Sequence, residues 1–221
     1  MDSGLLAQLI LYGLAAAVAA PVAAVVSALI LSKSTRPITS ALVFTAGALF
    51  LDLVLVFVVF ASGAFDDGGD AGAYLDVGLG LIFAVFGVLA IFQQESPEKD
   101  AARRARADSI ATAKLATLFV AGIAVQVINF DAIAVMGGGL KEIAQADIDA
   151  GEEAITTLFL LALMLIPYYA PAVVYALVPQ RAGKLLGGMT EWIMGNSRRV
   201  EIVTGLAFGA LFLWKGLAVL V

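Results

Sequence analysis

Long apolar runs alternate along the chain with short polar stretches. Six runs are continuously apolar, at residues 5–32, 38–62, 74–93, 113–137, 153–178 and 199–221. A helix needs roughly 20 apolar residues to cross a bilayer, and continuous runs favour helices over the alternating strands of a barrel. The pattern therefore predicts an all-α integral membrane protein with six transmembrane helices, in which residues 1–221 form a single transmembrane domain.

The polar stretches differ in sign. The first, third and fifth carry ten Lys and Arg residues, and the second and fourth carry one. Positive loops remain in the cytoplasm, so the pattern places these three loops inside and both termini outside the inner (plasma) membrane. The charged linker 94–112 divides the chain into two sets of three helices, which enter the membrane from opposite sides. Two such halves are typical of an inverted repeat in transporters.

The fifth loop contains a stretch with one apolar face, residues 182–195. Leu185, Met189, Trp192 and Ile193 recur there at helical spacing, with basic residues on either side. This spacing predicts an interfacial helix on the cytoplasmic leaflet. The alternative is a compact loop packed against the bundle.

Composition restricts the chemistry. Hydrophobic residues make up 62% of the chain and charged residues 14%, which is outside the range of soluble domains. Because the sequence has no Cys and no His, thiol redox chemistry and imidazole metal ligation are excluded. No phosphate loop or nucleophile elbow is present. We therefore expect no enzyme activity, no cofactor and no metal. The "RRAR" cluster is interpreted as a topology and anionic-lipid signal, with no nucleic-acid partner.

Three ionisable residues lie inside predicted spans, namely Asp52, Asp131 and Lys215. Each is 15 to 17 residues from the cytoplasmic end of its segment, so on straight helices all three have a similar depth. Charged residues within a membrane are costly and tend to pair, which predicts an ion pair between Lys215 and one of the acids. Alternatively, Lys215 extends to the outer interface and Asp131 ends its helix.

Further polar residues and helix-breaking residues accompany these charges. Gln126 and Asn129 are three apart and can face one cavity. With Asp52, Asp131 and Lys215 they form the candidate substrate or coupling-ion site. Interrupted helices often line such sites in transporters. The predicted helix breaks are Pro21, Gly137, Gly138, Gly139, Pro167 and Pro171.

Several stretches resemble a known family. "INFDAIAVMGGGLKEI" is similar to the Asn-containing fourth segment and the following "LKEI" of the glycolipid-addressing (GAP, or Sap, sulfolipid-1-addressing-like) family. The C-terminal half, from "IPYYAPAVVYALVPQR" to "FLWKGL", and "RPITSALVFTAGALF" near the N-terminus are also similar to that family. Relatives usually have a Pro-containing turn before "LKEI", where this chain has three glycines.

The resemblance implies membership of the lysine exporter (LysE) superfamily, with six helices in two inverted triplets. It also implies a transporter, or an accessory of one, that exports a cell-envelope glycolipid, with the bilayer, the lipid and a larger export complex as partners. Two other functions are kept open: a structural or regulatory subunit of a membrane complex, and an exporter of a small ion or amino acid. The redox branch of the superfamily is excluded, since it needs a cysteine pair.

Overall fold

The computed structural model describes residues 3–62, 70–92, 105 and 108–220, and the regular structure in these residues is helical. Most of the predicted linker 94–112 and the acidic stretch 63–69 lie outside the described residues. The helices are α1 (Ser3–Ala19), α2 (Pro21–Lys33), α3 (Pro37–Ser62), α4 (Asp70–Phe92), α5 (Leu115–Ile128), α6 (Phe130–Ala144), α7 (Ala150–Met164), α8 (Ile166–Leu177) and α9 (Pro179–Leu220).

Three helix pairs meet at a sharp bend with one residue between them. The bend is 64° between α1 and α2, 75° between α5 and α6, and 70° between α7 and α8. Proline explains two bends, because Pro21 and Pro167 stand in the first turns of α2 and α8. Proline is tolerated there but cannot continue a preceding helix. At the third bend, Asn129 leaves the helical conformation with φ −81° and ψ 48°.

The prediction that Gly137, Gly138 and Gly139 break the fourth segment is wrong, because all three lie inside α6. A Cβ atom on Gly138 would come within 2.8 Å of Tyr12 Cε1, and one on Gly139 within 2.7 Å of Leu160 Cδ2. These two glycines therefore allow neighbouring side chains to pack directly against the backbone of α6, and the break falls earlier, at Asn129.

Pro171 is also not a break, since α8 continues through it. A proline inside a helix removes one backbone hydrogen bond, here the bond to the carbonyl of Pro167. Such a loss can kink a helix without ending it. The sharp turn of this segment lies at Leu165, just before Pro167.

The described helices are sufficient for several membrane spans. Helix α3 and residues Arg198–Leu220 of α9 are each long and apolar enough to cross a membrane, and each bent pair could form one further span, which gives up to five. Helix α4 has 23 residues, of which Asp76–Phe92 form its apolar part. The chain is thus an all-helical protein with membrane-type helices, and a count of six spans stays a prediction.

Glycines bring two helix pairs into backbone contact. Helices α3 and α5 cross closely, because a Cβ atom on Gly47 or Gly122 would lie 2.0 Å from a carbonyl oxygen of the other helix. Helices α4 and α9 run antiparallel, with Gly87 against Gly205. Small residues at helix interfaces are a common means of packing membrane helices closely. The α3–α5 contact is the one that positions the site described below.

Helix α9 is 42 residues long and includes the stretch 182–195 without a break. Its Arg198 donates hydrogen bonds to the carbonyls of Ala90 and Ile91 at the end of α4. Carbonyls in the last turn of a helix have no partner within the helix, so this contact satisfies two of them. The helical character of 182–195 agrees with the sequence pattern, and its position at a membrane surface stays a prediction.

Candidate functional site: a buried polar network at the helix breaks

Four polar side chains meet where two segments are broken. We call Asp52, Gln126, Asn129 and Tyr168 the Asp52 network. Asn129 Nδ2 donates to Tyr168 Oη at 3.2 Å, and Tyr168 Oη donates to Gln126 Oε1 at 2.7 Å. Gln126 Nε2 in turn donates to Asp52 Oδ1 at 2.7 Å. The hydrogen bonds therefore form one chain in which every donor points towards the Asp52 carboxyl group.

Each member is positioned by a feature of the backbone. Asn129 is the residue between α5 and α6, and Gln126 lies one turn before it. Tyr168 follows the bend at Leu165, and its carbonyl accepts a 2.7 Å hydrogen bond from Ser27 Oγ of α2. Asp52 is brought to Gln126 by the close α3–α5 contact. The network thus links α2, α3, α5 and α8 at two of the three bends.

The second carboxyl oxygen of Asp52 has no partner among the described residues. Asp52 has 0% exposure, and its Oδ2 is buried without a hydrogen bond, a state it shares with Thr157 Oγ1. In the described part of the chain no Lys or Arg forms a salt bridge with Asp52. Buried polar atoms are normally paired, because leaving one without a partner costs about 1 to 3 kcal/mol. The Asp52 network therefore ends on an atom that can take a further ligand.

A second polar group surrounds the last turns of α6. We call Tyr12, Asp76, Lys141, Glu142 and Lys215 the α6 ion-pair cluster. Lys141 Nζ lies 2.6 Å from Asp76 Oδ2 of α4, and both residues are buried. Lys215 of α9 pairs with Glu142 and also donates to Tyr12 Oη of α1 at 2.6 Å. The cluster ties α6 to α1, α4 and α9.

The predicted ion pair between Lys215 and Asp52 or Asp131 is wrong, because Lys215 pairs with Glu142. The depth comparison assumed straight helices, and the 75° bend at Asn129 invalidates it for every residue of α6. Asp131 lies just after this bend, in the first turn of α6, where its Oδ1 accepts the backbone N–H of Ala132 at 3.0 Å. A carboxylate at a helix N-terminus is stabilised by the helix dipole and needs no lysine partner.

Of the predicted site residues, the structure joins Asp52, Gln126 and Asn129 in one hydrogen-bonded network, whereas the hydrogen bonds of Asp131 and Lys215 go to other groups. Sequence reasoning missed Tyr168, which joins Gln126 to Asn129. It also missed Asp76, at the start of the third apolar run, and Lys141 and Glu142, which follow the fourth run and were assigned to a loop. A tyrosine directly after Pro167 was the available signal for Tyr168, because polar side chains next to a helix break often serve as hydrogen-bond partners.

Two further observations bear on ligands. In the described residues, no three acidic side chains are grouped as metal ligands would be. An open groove of about 520 Å³ runs between α1 and α9, and its lining is apolar. Ile10, Leu14 and Val18 line one side, and Val203, Ala207 and Phe208 line the other. The groove thus offers hydrocarbon surface to an apolar chain.

The fold and the site define a class, that of all-helical membrane-type proteins with polar residues buried at interrupted helices. Comparison with known families is more specific. The family of Sap, the sulfolipid-1-addressing protein, matches residues 9–218, nearly the whole sequence. The chain belongs to this family. No curated protein and no solved structure matches it significantly.

Proposed function

We propose that the protein takes part in the export of a cell-envelope lipid, either as the transporter or as an accessory of one. The observation that carries this proposal is the family match over residues 9–218, whose description names the addressing of a lipid. The apolar groove between α1 and α9 is compatible with a hydrocarbon chain. The buried Asp52 network gives the bundle the kind of polar interior that transporters place at broken helices.

The architecture we propose for this function is six spans in two inverted triplets, as in the LysE superfamily. Two features support it. The first segment of each triplet is bent near its middle, by 64° in α1–α2 and 75° in α5–α6. The third segments of the two triplets, α4 and α9, pack antiparallel through Gly87 and Gly205, as a two-fold axis in the membrane plane requires. The second segments differ, since α3 is unbroken and α7–α8 is bent.

For the orientation, we propose a plasma-membrane protein with both termini and the second and fourth loops outside. Lys141, the single base counted in the even-numbered loops, is buried in a salt bridge with Asp76 and is not a loop residue. Without Lys141, all the Lys and Arg residues counted in loops belong to the first, third and fifth loops, which lie on one side of the membrane. The α6 ion-pair cluster then lies toward the outer face of the bundle.

A second function has one observation in its favour. A fully buried acidic side chain at broken helices is also suited to an exporter of a small ion or amino acid. The two functions differ in what accumulates when the protein is absent. We therefore suggest extracting surface lipids and total lipids separately from a deletion strain. If the protein exports a lipid, the amount of one envelope lipid at the surface should decrease in the deletion strain while its total amount stays unchanged. Unchanged surface lipid with altered efflux of a small solute would favour the second function.

A further inference from the structure

We infer that Asp52 is a proton-binding site, which holds a proton on Oδ2 when that atom is buried as described above. This inference deepens the proposed transport function, because it names the ion that would drive transport. The role of the proton as a driving ion rests on that proposed function. The site itself is argued from the Asp52 network alone.

The hydrogen bonds leave one position for a ligand and fix what it can be. Asn129 Nδ2 and the Tyr168 hydroxyl donate to other members of the network, and Gln126 Nε2 donates to Asp52 Oδ1. Oδ2 is left with no donor among the described residues and no exposure to water. A proton on Oδ2 converts the side chain to a neutral acid while Oδ1 continues to accept from Gln126. No other atom has to move.

Among the residues that the structure describes, no charged group near Asp52 supplies a positive charge in place of this proton. Helix α3 packs against α2, α5, α6 and α8. Helix α5 has no titratable residue. Tyr168 of α8 is the titratable member of the network next to Asp52. Tyr168 interacts electrostatically with Asp52 of α3 and with Asp131 of α6. Both acids carry the same sign, so Asp131 cannot neutralise Asp52.

The cations on the neighbouring helices are engaged elsewhere. Lys33 of α2 pairs with Asp108 at 2.7 Å, and Lys141 of α6 pairs with Asp76 at 2.6 Å. A sodium ion is a poorer occupant than a proton, because hard cations need several oxygen ligands. Gln126 Oε1, an amide oxygen of the network, already accepts the Tyr168 hydroxyl. The chemistry of the network therefore favours the proton.

Loss of the proton has a structural consequence. The ionised carboxylate would carry a full charge with a single hydrogen bond in a dry interior, which is costly unless water or a cation reaches it. Because Oδ2 is buried, water can reach it only if the helices around it separate, and the bends at Asn129 and Leu165 lie next to the network. Release of the proton is thus coupled to opening at the broken helices, and rebinding is coupled to closure.

The test is infrared spectroscopy of the purified protein in lipid, titrated from neutral pH, where exposed carboxyl groups are ionised, to alkaline pH. A protonated carboxyl group gives a C=O stretching band that shifts on exchange into D₂O, whereas a carboxylate does not. We expect such a band in the wild-type protein, its loss at alkaline pH, and its absence in Asp52→Asn. Asn is a suitable replacement, because its Oδ1 can still accept from Gln126 and its N–H takes the place of the acid O–H. The band should persist in the matched control Asp131→Asn.

Two results would overturn the inference. One is a wild-type spectrum without a protonated-carboxyl band at neutral pH, and the other is a neutral-pH band that Asp52→Asn retains. A carboxylate band that changes with added sodium at constant pH would also overturn the inference, because it would show that Asp52 binds sodium instead of a proton. These outcomes are separate from the proposed function. A proton on Asp52 with surface lipid unchanged in the deletion strain would keep the site and refute lipid export. An altered surface lipid with no proton on Asp52 would do the reverse.

Discussion

Substitution of Gly122 by Ala tests whether the close α3–α5 contact holds the Asp52 network together. The added Cβ atom would lie 2.0 Å from the carbonyl oxygen of Phe44 and 3.1 Å from the backbone nitrogen of Ala48. Backbone atoms cannot rotate away as a flexible side chain can. To restore an ordinary contact of 3.4 Å, the two helices must therefore separate by about 1.4 Å at this point.

This separation would act on Asp52 and Gln126, since each lies four residues beyond the contact on its own helix. Their 2.7 Å hydrogen bond would lengthen towards 4 Å, which is too long for a hydrogen bond. Overpacking a well-packed interior costs about 1 to 3 kcal/mol. For a chain of this size that corresponds to a melting temperature lower by roughly 2 to 12 °C.

Gly137→Ala is the matched control. Gly137 lies inside α6, and a Cβ atom there would meet nothing within 4 Å. Ala is favoured over Gly in a helix by about 1 kcal/mol, so the control should be as stable as the wild-type protein or slightly more stable. The assay is the fraction of monodisperse protein in detergent after heating, followed by size-exclusion chromatography. Equal midpoints for the two variants would refute the close-packing argument.

Three further predictions concern the ion pair, the topology and α9. Lys215→Met alone should destabilise the protein more than Lys215→Met combined with Glu142→Gln, because the single change leaves Glu142 without its partner. A double-mutant cycle should give a coupling energy of about 1 to 3 kcal/mol, and additive effects would contradict the ion pair. In intact cells, a membrane-impermeant maleimide should label a cysteine at exposed Asp147 but not one at exposed Thr112, and the reverse labelling would invert the orientation. Trp192, which is 62% exposed, should be quenched by lipids brominated at shallow depth in a variant without the other tryptophan; quenching by deep labels alone would contradict an interfacial position.

Local features of the fold could be predicted from the sequence. Continuous apolar runs indicated where the helices lie, because burial in a membrane requires such runs and little else produces them. Pro21 and Pro167 marked two of the bends, since a proline early in a helix cannot extend the one before it. Gln126 and Asn129 were expected to face one cavity, and both bond to the Tyr168 hydroxyl.

Features that depend on distant partners could not be predicted. The break at Asn129 has no proline, and Asn129 makes its side-chain hydrogen bond to Tyr168, 39 residues away. The "LKE" stretch was interpreted as a loop because charged residues are normally solvated. Lys141 is instead buried, and its partner Asp76 is 65 residues away. Nothing in the local pattern of either residue identifies the other.

Glycines illustrate the same limit. Three consecutive glycines predict a weak helix, since each lowers helix propensity by about 1 kcal/mol relative to Ala. In α6 that loss is offset by packing, because Tyr12 and Leu160 occupy the space that side chains on Gly138 and Gly139 would fill. Whether a glycine breaks a helix or allows close contact is decided by what faces it, and the sequence alone does not contain that information.

If the buried Asp52 carboxyl group works in lipid export, its removal should keep the lipid from reaching the surface. The most direct test is complementation of a deletion strain with the wild-type chain, with Asp52→Asn and with the exposed-loop control Asp147→Asn, all at equal amounts in the membrane. The ratio of surface-extractable to total envelope lipid is then measured by mass spectrometry. We predict that Asp147→Asn restores the wild-type ratio and that Asp52→Asn leaves the ratio of the deletion strain. Full restoration by Asp52→Asn would show that the Asp52 carboxyl group is not needed for lipid export.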